Sequence, residues 1–124
     1  MNRILVIEDT ELVRTILLDI LEEAGYEVIE AGDGEGGISA YLEYGADLVI
    51  TDLVMPGKGG VEVVQEIQKY TPHTRFLVLS GRDCGNMFQD LIGRATPTQL
   101  RTLVKPVREE DLLEAVEELL AGAA

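Results

Sequence analysis

Four short apolar runs, separated by segments with helical periodicity, constrain the fold more than any other feature of this sequence. The runs cover Ile4 to Ile7, Leu48 to Ile50, Phe76 to Leu79, and Leu103 to Val104. Runs of this length are typical of strands buried on both faces, alternating with crossover helices. The more polar stretch from Tyr26 to Glu30 predicts a further strand at a sheet edge. The pattern therefore predicts an α/β fold with a five-stranded parallel sheet.

Apolar stripes at helical spacing predict five helices between and after the strands. The first, third and fifth cover about residues 10–24, 60–70 and 108–120. The second is weakened by Gly34, Gly36 and Gly37 at its start, because a glycine inside a helix costs about 1 kcal/mol relative to alanine. The fourth is predicted from a stripe that consists of Met87, Phe88, Leu91 and Ile92.

Length and charge limit the classes of function. The chain has 124 residues and is 46% hydrophobic, so we expect one domain over residues 1–124. The net charge of −13 would repel a phosphate backbone, so a nucleic-acid partner is not expected. The sequence shows neither a membrane span nor a secretory signal, and we expect a cytoplasmic protein without a membrane partner. Cys84 stands alone, which excludes an internal disulfide and a cysteine-based zinc site.

Polar and charged residues stand at the carboxyl ends of the predicted strands. Glu8 and Asp9 follow the first strand, Asp52 the third, Ser80 the fourth and Lys105 the fifth. In a doubly wound sheet with strand order 2-1-3-4-5, the first and third strands are neighbours where the order reverses, and ligands bind beyond their carboxyl ends. The sequence therefore predicts that three carboxylates come together at that point.

Such a cluster predicts phosphoryl chemistry with a metal ion. Three carboxylates a few ångströms apart repel one another unless a cation joins them, and Mg²⁺ suits a site with few carboxylates, retained waters and a phosphate oxygen. A carboxylate ionised at pH 7 can attack a phosphoryl group without a general base, so Asp52 is the expected nucleophile. The metal would be held by Glu8 and Asp9. Lys105 would add a positive charge, and Ser80 would donate a hydrogen bond to a phosphoryl oxygen.

These residues lie in the motifs "VIEDT", "TDLVMPGKGG", "LVLSG" and "LVKPV", which occur in this order along essentially the whole chain. Together they resemble the response-regulator receiver domain of two-component signalling. The resemblance implies a flavodoxin-like fold in which Asp52 is the phospho-acceptor. It also implies that Glu8 and Asp9 are the acidic metal pair and that the backbone carbonyl of Val54 completes the Mg²⁺ site.

The same resemblance implies the remaining site residues and the partners. Ser80 resembles the family's hydroxyl residue, Lys105 its lysine before a cis proline, here Pro106, and Gly60 the glycine that opens the third helix. A receiver takes its phosphoryl group from a sensor histidine kinase, a phosphotransfer protein or a small phosphodonor, and acts on a downstream protein target. Since the sequence ends directly after the fifth predicted helix, we expect a stand-alone receiver. It would be no enzyme beyond its own phosphoryl transfer and dephosphorylation.

Thr102 departs from the family pattern. Receivers usually carry an aromatic switch residue three positions before the lysine, and Thr102 occupies that position here. The segment between Ser80 and Lys105 is also a few residues longer than is typical. We therefore expect phosphorylation to be read out mainly through residues 81–101. A pseudo-receiver that binds a partner without a conventional phosphorylation switch is the alternative interpretation.

Other interpretations agree less well with the sequence. A flavodoxin-like electron carrier needs a hydroxyl- and glycine-rich loop after the first strand, and the acidic Glu8 and Asp9 would repel a flavin phosphate. A haloacid-dehalogenase-type phosphatase needs Asp-x-Asp at the same place, which the sequence lacks. Purely structural roles are a further alternative, with Glu8 and Asp9 capping a helix, Asp52 in a turn, Ser80 as a cap and Lys105 as a solvated base. Such roles do not explain why all these residues stand at strand ends.

Overall fold

The computed structural model describes residues 2–81 and 99–121 of the chain. The elements in these ranges are, in chain order, β1 (Arg3–Ile7), α1 (Glu11–Glu23), β2 (Glu27–Ala31), α2 (Gly34–Tyr44), β3 (Leu48–Asp52), α3 (Gly60–Tyr70), β4 (Arg75–Ser80), β5 (Leu100–Val104) and α4 (Glu109–Ala121). The five strands are parallel and form one sheet with the order β2-β1-β3-β4-β5. The predicted flavodoxin-like α/β class and strand order are confirmed.

One predicted helix falls outside the described ranges. Its apolar stripe lies between residues 82 and 98, as do Cys84 and most of the predicted readout segment, residues 81–101. The helix that the sequence predicts as the fifth is therefore α4, the last of four in the described ranges. Within those ranges, no helix combines the length and the apolar character that a membrane crossing requires.

The sheet divides the core into two layers, because successive residues of a strand point to opposite faces. In β1, Leu5 and Ile7 pack toward α2 and α3, whereas Ile4 and Val6 pack toward α1 and α4. Every residue of the central strand β3 is buried, which explains why its sequence does not alternate between apolar and polar residues. Fully burying one aliphatic side chain contributes about 1.5–3 kcal/mol. Because both layers contain many buried side chains, packing on both faces holds the strands, and so the strand ends, in defined relative positions.

The edge strand β5 is longer than its apolar pattern predicts. It begins at Leu100, before the apolar pair of Leu103 and Val104 that predicts a strand. Arg101 and Thr102 interrupt the apolar run, but β5 pairs with β4 from Leu100 onward. A strand at the sheet edge tolerates such polar residues because it is less deeply buried than a central strand.

The glycines at the start of α2 permit close packing. A Cβ at Gly37 would lie 2.3 Å from Ile7 Cδ1, and a Cβ at Gly34 would lie 2.5 Å from the Lys58 carbonyl oxygen. Asp33 caps the helix, and its side chain accepts a hydrogen bond from a backbone N–H of the first turn at 2.6 Å. The glycines make the helix less stable than alanines would, but they let α2 pack closely against β1 and against the loop before α3, which offsets this loss.

Candidate functional site

Three carboxylates meet at the carboxyl end of the sheet. β1 and β3 are paired neighbours, with Ile7 opposite Thr51. Glu8 and Asp9 therefore leave β1 beside Asp52, the last residue of β3. Carboxylate oxygens of these three acids lie within 4.8 Å of one another. Glu8 is 1% exposed and Asp52 is 8% exposed, whereas Asp9 lies at the surface. The structure thus brings together the acids that the sequence predicts as a metal site.

Lys105 joins two of these acids. Its Nζ lies 3.1 Å from Glu8 Oε2 and 3.1 Å from Asp52 Oδ1. Lys105 follows β5, where its backbone N–H donates to the Ser80 carbonyl at 2.6 Å, and a cis peptide bond links it to Pro106. Its side chain is partly buried. Lys105 is therefore an ion-pair partner inside the site and not a solvated base.

Burial has the largest effect on the charge state of Asp52. Desolvation raises the pKa of Asp52 above its ordinary value, Lys105 lowers it and the charge of Asp9 raises it, with a net rise. For Lys105, burial lowers the pKa, but the contacts with Glu8 and Asp52 outweigh burial and leave the pKa raised. Lys105 is therefore protonated at neutral pH. The ammonium group pairs with two of the three clustered carboxylates, and the remaining negative charge of the cluster fits a hard divalent cation.

The other predicted site residues lie near Asp52 in the fold. Ser80 ends β4, the strand next to β3, and its side chain is buried. Val54 lies two residues after Asp52 in the loop before α3, with its side chain exposed. Gly60 opens α3, and a Cβ there would lie 2.7 Å from the Asp52 carbonyl oxygen. Glycine at this position therefore lets α3 begin directly against the backbone of Asp52.

Arg14 also contacts the acidic loop, although no sequence motif points to it. Its Nη1 donates to the Glu8 carbonyl at 2.8 Å, and its Nε donates to Glu30 Oε1 at 2.9 Å. Arg14 lies one helical turn after Thr10, whose carbonyl accepts its backbone N–H at 2.9 Å. Long side chains lean toward the N-terminus of their helix. A base one turn into the helix that follows the acidic pair is the signal that could have identified Arg14 from the sequence.

An apolar groove lies next to Lys105, between α1 and the loop after β5. Its volume is about 390 Å³. The groove is lined by Val13, Ile16, Leu17, Ile20, Leu79, Lys105, Pro106 and Val107. Ile16 is 50% exposed, and Leu12, one turn before it on α1, is 71% exposed. The acidic site is therefore bordered by an apolar surface that is open to solvent.

The chain is similar to known proteins over nearly its whole length. Residues 4–117 match the family model of the response regulator receiver domain. The chemotaxis protein CheY of Thermotoga maritima is 31% identical over 116 residues, which cover 93% of this chain and 94% of that protein. The solved structure of CheY4 of Vibrio cholerae has a TM-score of 0.86 and 26% identity, and the match covers 96% of this chain and 98% of that one. The response regulator TrrA of Thermotoga maritima, solved in complex with Mg²⁺-BeF, has a TM-score of 0.83 and 30% identity, with 96% and 99% covered.

Proposed function

The chain belongs to the response regulator receiver domain family, and on that basis we propose that it is a phosphorylatable signalling receiver whose phospho-acceptor is Asp52. The observation that carries this proposal is the convergence of Asp52 with Glu8, Asp9 and Lys105 at the carboxyl end of the sheet. Residues 1–124 would form one receiver domain. Its role is signalling, and its own chemistry is confined to phosphoryl transfer onto and off Asp52.

The proposed reaction uses Asp52 as the nucleophile. A carboxylate oxygen of Asp52 forms a new bond to phosphorus, the bond between phosphorus and the donor breaks, and the donor keeps the electron pair. The ionised carboxylate is already the reactive form, so no general base is required. Lys105, 3.1 Å from Asp52 Oδ1, supplies positive charge near the phosphoryl oxygens. Ser80, at the end of the adjacent strand, donates a hydrogen bond to one of those oxygens.

We assign a Mg²⁺ site to the same cluster. Its donors fit this ion, because three carboxylates with oxygens within 4.8 Å of one another supply hard ligands and the exposed Asp9 leaves access for coordinated water. The proposed ligands are Glu8, Asp9, Asp52 and the backbone carbonyl of Val54. When bound, Mg²⁺ neutralises negative charge on the transferring phosphoryl group. The structure of TrrA in complex with Mg²⁺-BeF supports the assignment.

The proposed phosphodonors are a sensor histidine kinase, a phosphotransfer protein or a small phosphorylated molecule, and a downstream protein target receives the signal. The apolar groove beside Lys105 supports a protein partner at this end of the sheet, because burial of apolar surface stabilises protein association. The net charge of −13 disfavours nucleic acid as a direct partner. The protein partners therefore recognise the chain through protein-protein contacts.

A pseudo-receiver is the second candidate function, and Thr102 is the observation that favours it. Thr102 lies in β5 opposite Val78 and is half-buried, at the position where the family resemblance implies an aromatic switch residue. A threonine provides no large ring that could exchange between a buried and an exposed position. The two candidates differ in whether phosphoryl transfer to Asp52 is part of the function.

Intact mass spectrometry separates the two candidates. The chain is incubated with a small phosphodonor such as acetyl phosphate in the presence of Mg²⁺, and in parallel with the metal removed by a chelator. The receiver proposal predicts a gain of one phosphoryl group with Mg²⁺ and no gain with the chelator. Absence of any gain under both conditions would contradict the receiver proposal and favour the pseudo-receiver.

A further inference from the structure

We propose that Arg14 is a positioning residue for the metal site, because its guanidinium holds the peptide group that joins Glu8 to Asp9. This inference rests on the proposed function. The Glu8 carbonyl oxygen, 2.8 Å from Arg14 Nη1, belongs to that peptide group, and a peptide group is planar. Restraining its oxygen therefore limits the rotation of the whole plane, and with it the direction in which Asp9 leaves the chain relative to Glu8.

The two acids of the pair depend on this contact to different extents. Glu8 is held at three further atoms, since its N–H donates to the Ala31 carbonyl at 3.1 Å, its Oε1 accepts from the Thr10 N–H at 3.2 Å, and its Oε2 lies 3.1 Å from Lys105 Nζ. Asp9 is exposed, and its direction follows from the peptide group that precedes it. Loss of the Arg14 contact would therefore broaden the positions of the Asp9 carboxylate more than those of the Glu8 carboxylate.

Arg14 is itself held in place. Its Nε donates to Glu30 Oε1 at 2.9 Å, and its side chain is 18% exposed. A Cβ at Gly32 would lie 3.4 Å from Arg14 Nη1, so the guanidinium packs against the backbone after β2. The planar guanidinium group loses little freedom when it binds two acceptors in fixed directions. Residues that orient metal ligands in this way typically change metal affinity by about 10–100-fold when they are replaced.

The chain contains a matched arginine at the opposite end of the sheet. Arg3 donates from Nη1 to the Tyr44 carbonyl and from Nη2 to Glu27 Oε1 at 3.0 Å. Arg3 and Arg14 therefore each join a backbone carbonyl to a glutamate of β2. They differ in that Arg3 lies at the amino ends of the strands, away from Asp52. Arg3→Met is thus a control for the general loss of stability that follows removal of a guanidinium group.

The test is a calorimetric titration of Mg²⁺ into the wild-type chain, Arg14→Met and Arg3→Met. We expect Arg14→Met to raise the Mg²⁺ dissociation constant about tenfold and Arg3→Met to leave it near the wild-type value. A kinetic measurement with a small phosphodonor should agree with the titration. In Arg14→Met, the Mg²⁺ concentration for half-maximal phosphorylation should rise by the same factor, whereas the rate at saturating Mg²⁺ should stay close to that of the wild type.

Wild-type affinity in Arg14→Met, or an equal loss of affinity in Arg3→Met, would overturn the role of Arg14. If Arg14→Met does not fold, the titration uses Glu30→Gln, which alters the acceptor that holds the Arg14 guanidinium in place. Its amide oxygen can still accept the hydrogen bond but lacks the charge that strengthens it, so the dissociation constant should rise by less than the tenfold expected for Arg14→Met, and an unchanged value would overturn the inference. A wild-type chain that binds no Mg²⁺ would overturn the proposed metal site together with this inference. If the wild type binds Mg²⁺ and Arg14→Met binds it equally well, this inference would be overturned but the proposed metal site would not.

Discussion

An aspartate stands at each end of β3, and the two residues lie in different surroundings. Asp47 precedes the strand, is exposed, and accepts a hydrogen bond from the Arg3 backbone N–H at 2.8 Å. Asp52 ends the strand with its side chain 11% exposed, in a cluster with Glu8 and Asp9. At the amino end of the sheet an acid thus reaches solvent, whereas at the carboxyl end buried acids lie close together.

The difference supports the proposal that the carboxyl end of the sheet is the functional end. Burial raises the pKa of Asp52 and so disfavours its charged form, which indicates that the carboxyl end is not arranged for stability alone. At the amino end, Arg3 pairs with Glu27, whose side chain is 44% exposed, as in an ordinary surface ion pair. Changes at the carboxyl end should therefore alter phosphorylation or Mg²⁺ binding, and changes near the amino end should alter stability at most.

The largest expected effect follows from removal of the partly buried ammonium group of Lys105. Lys105→Met should lower the rate of phosphorylation by a small phosphodonor by about 10²–10³-fold, because it removes the positive charge that lies beside Asp52. Lys69→Met is the control, since Lys69 lies in the last turn of α3, toward the amino end of the sheet. Rates followed by intact mass over time would measure both effects. Equal rates in Lys105→Met and the wild type would count against the assigned role of Lys105.

Mg²⁺ should stabilise the fold through the acids at the carboxyl end. A ligand that binds the native state alone raises the free energy of unfolding, by about 2.7 kcal/mol at about 100 times its dissociation constant. Glu8→Gln and Asp9→Asn should each reduce this gain, because each removes one of the clustered carboxylates. Glu27→Gln, at the amino end, should keep it in full. Urea unfolding with and without Mg²⁺ measures the gain, and equal gains in all four proteins would contradict the metal assignment.

Substitution of Gly60, the glycine that opens α3, should have a smaller effect, mainly on the free energy of unfolding. Gly60→Ala should lower the free energy of unfolding by about 1–3 kcal/mol, because its Cβ would lie 2.7 Å from the Asp52 carbonyl oxygen. Gly25→Ala should cost about 1 kcal/mol through its φ of +98°, with open space around its Cβ among the described residues. Only Gly60→Ala should also slow phosphorylation, since it displaces the backbone of Asp52. A wild-type phosphorylation rate in a folded Gly60→Ala protein would argue against this positioning.

The smallest expected effect is a dependence of stability on pH without Mg²⁺. Because burial raises the pKa of Asp52 in the folded chain, its contribution to stability is present below the ordinary pKa of an aspartate and is lost as pH rises through the raised value. At neutral pH Asp52→Asn should therefore be slightly more stable than the wild type. This advantage should vanish as the pH falls from above the raised pKa of Asp52 to below the ordinary pKa of an aspartate. Asp47→Asn should show no such advantage, because it weakens the hydrogen bond with Arg3. Thermal unfolding at several pH values measures these differences. An Asp52→Asn protein that is less stable than the wild type at neutral pH would contradict the prediction.

Much of the fold and of the site could be predicted because both follow from where the strands end. The apolar runs identify the strands, and the parallel strand order places the residues at the carboxyl ends of β1, β3 and β5 at one end of the sheet. Glu8, Asp52 and Lys105 therefore lie at the same end of the sheet, where the structure pairs their side chains. Ser80 follows from the same argument, and the family motifs supply the remaining positions, Val54 and Gly60.

Contacts that depend on side-chain direction and on packing between elements could not be predicted in the same way. The bond from Arg14 to the Glu8 carbonyl requires knowledge of how α1 is rotated against β1. The glycines of α2 suggest a weak helix in the sequence, but Gly37 lets that helix pack on Ile7. The early start of β5 at Leu100 depends on pairing with β4 and not on its own apolar pattern.

Intact mass spectrometry of three proteins tests the central claim most directly. The wild type, Asp47→Asn and Asp52→Asn are each incubated with acetyl phosphate and Mg²⁺, so the two variants alter the same residue type at opposite ends of β3. We predict that the wild type and Asp47→Asn each gain one phosphoryl group and that Asp52→Asn gains none. A phosphoryl group gained by Asp52→Asn in a Mg²⁺-dependent way, or lost by Asp47→Asn, would contradict the assignment of Asp52 as the phospho-acceptor.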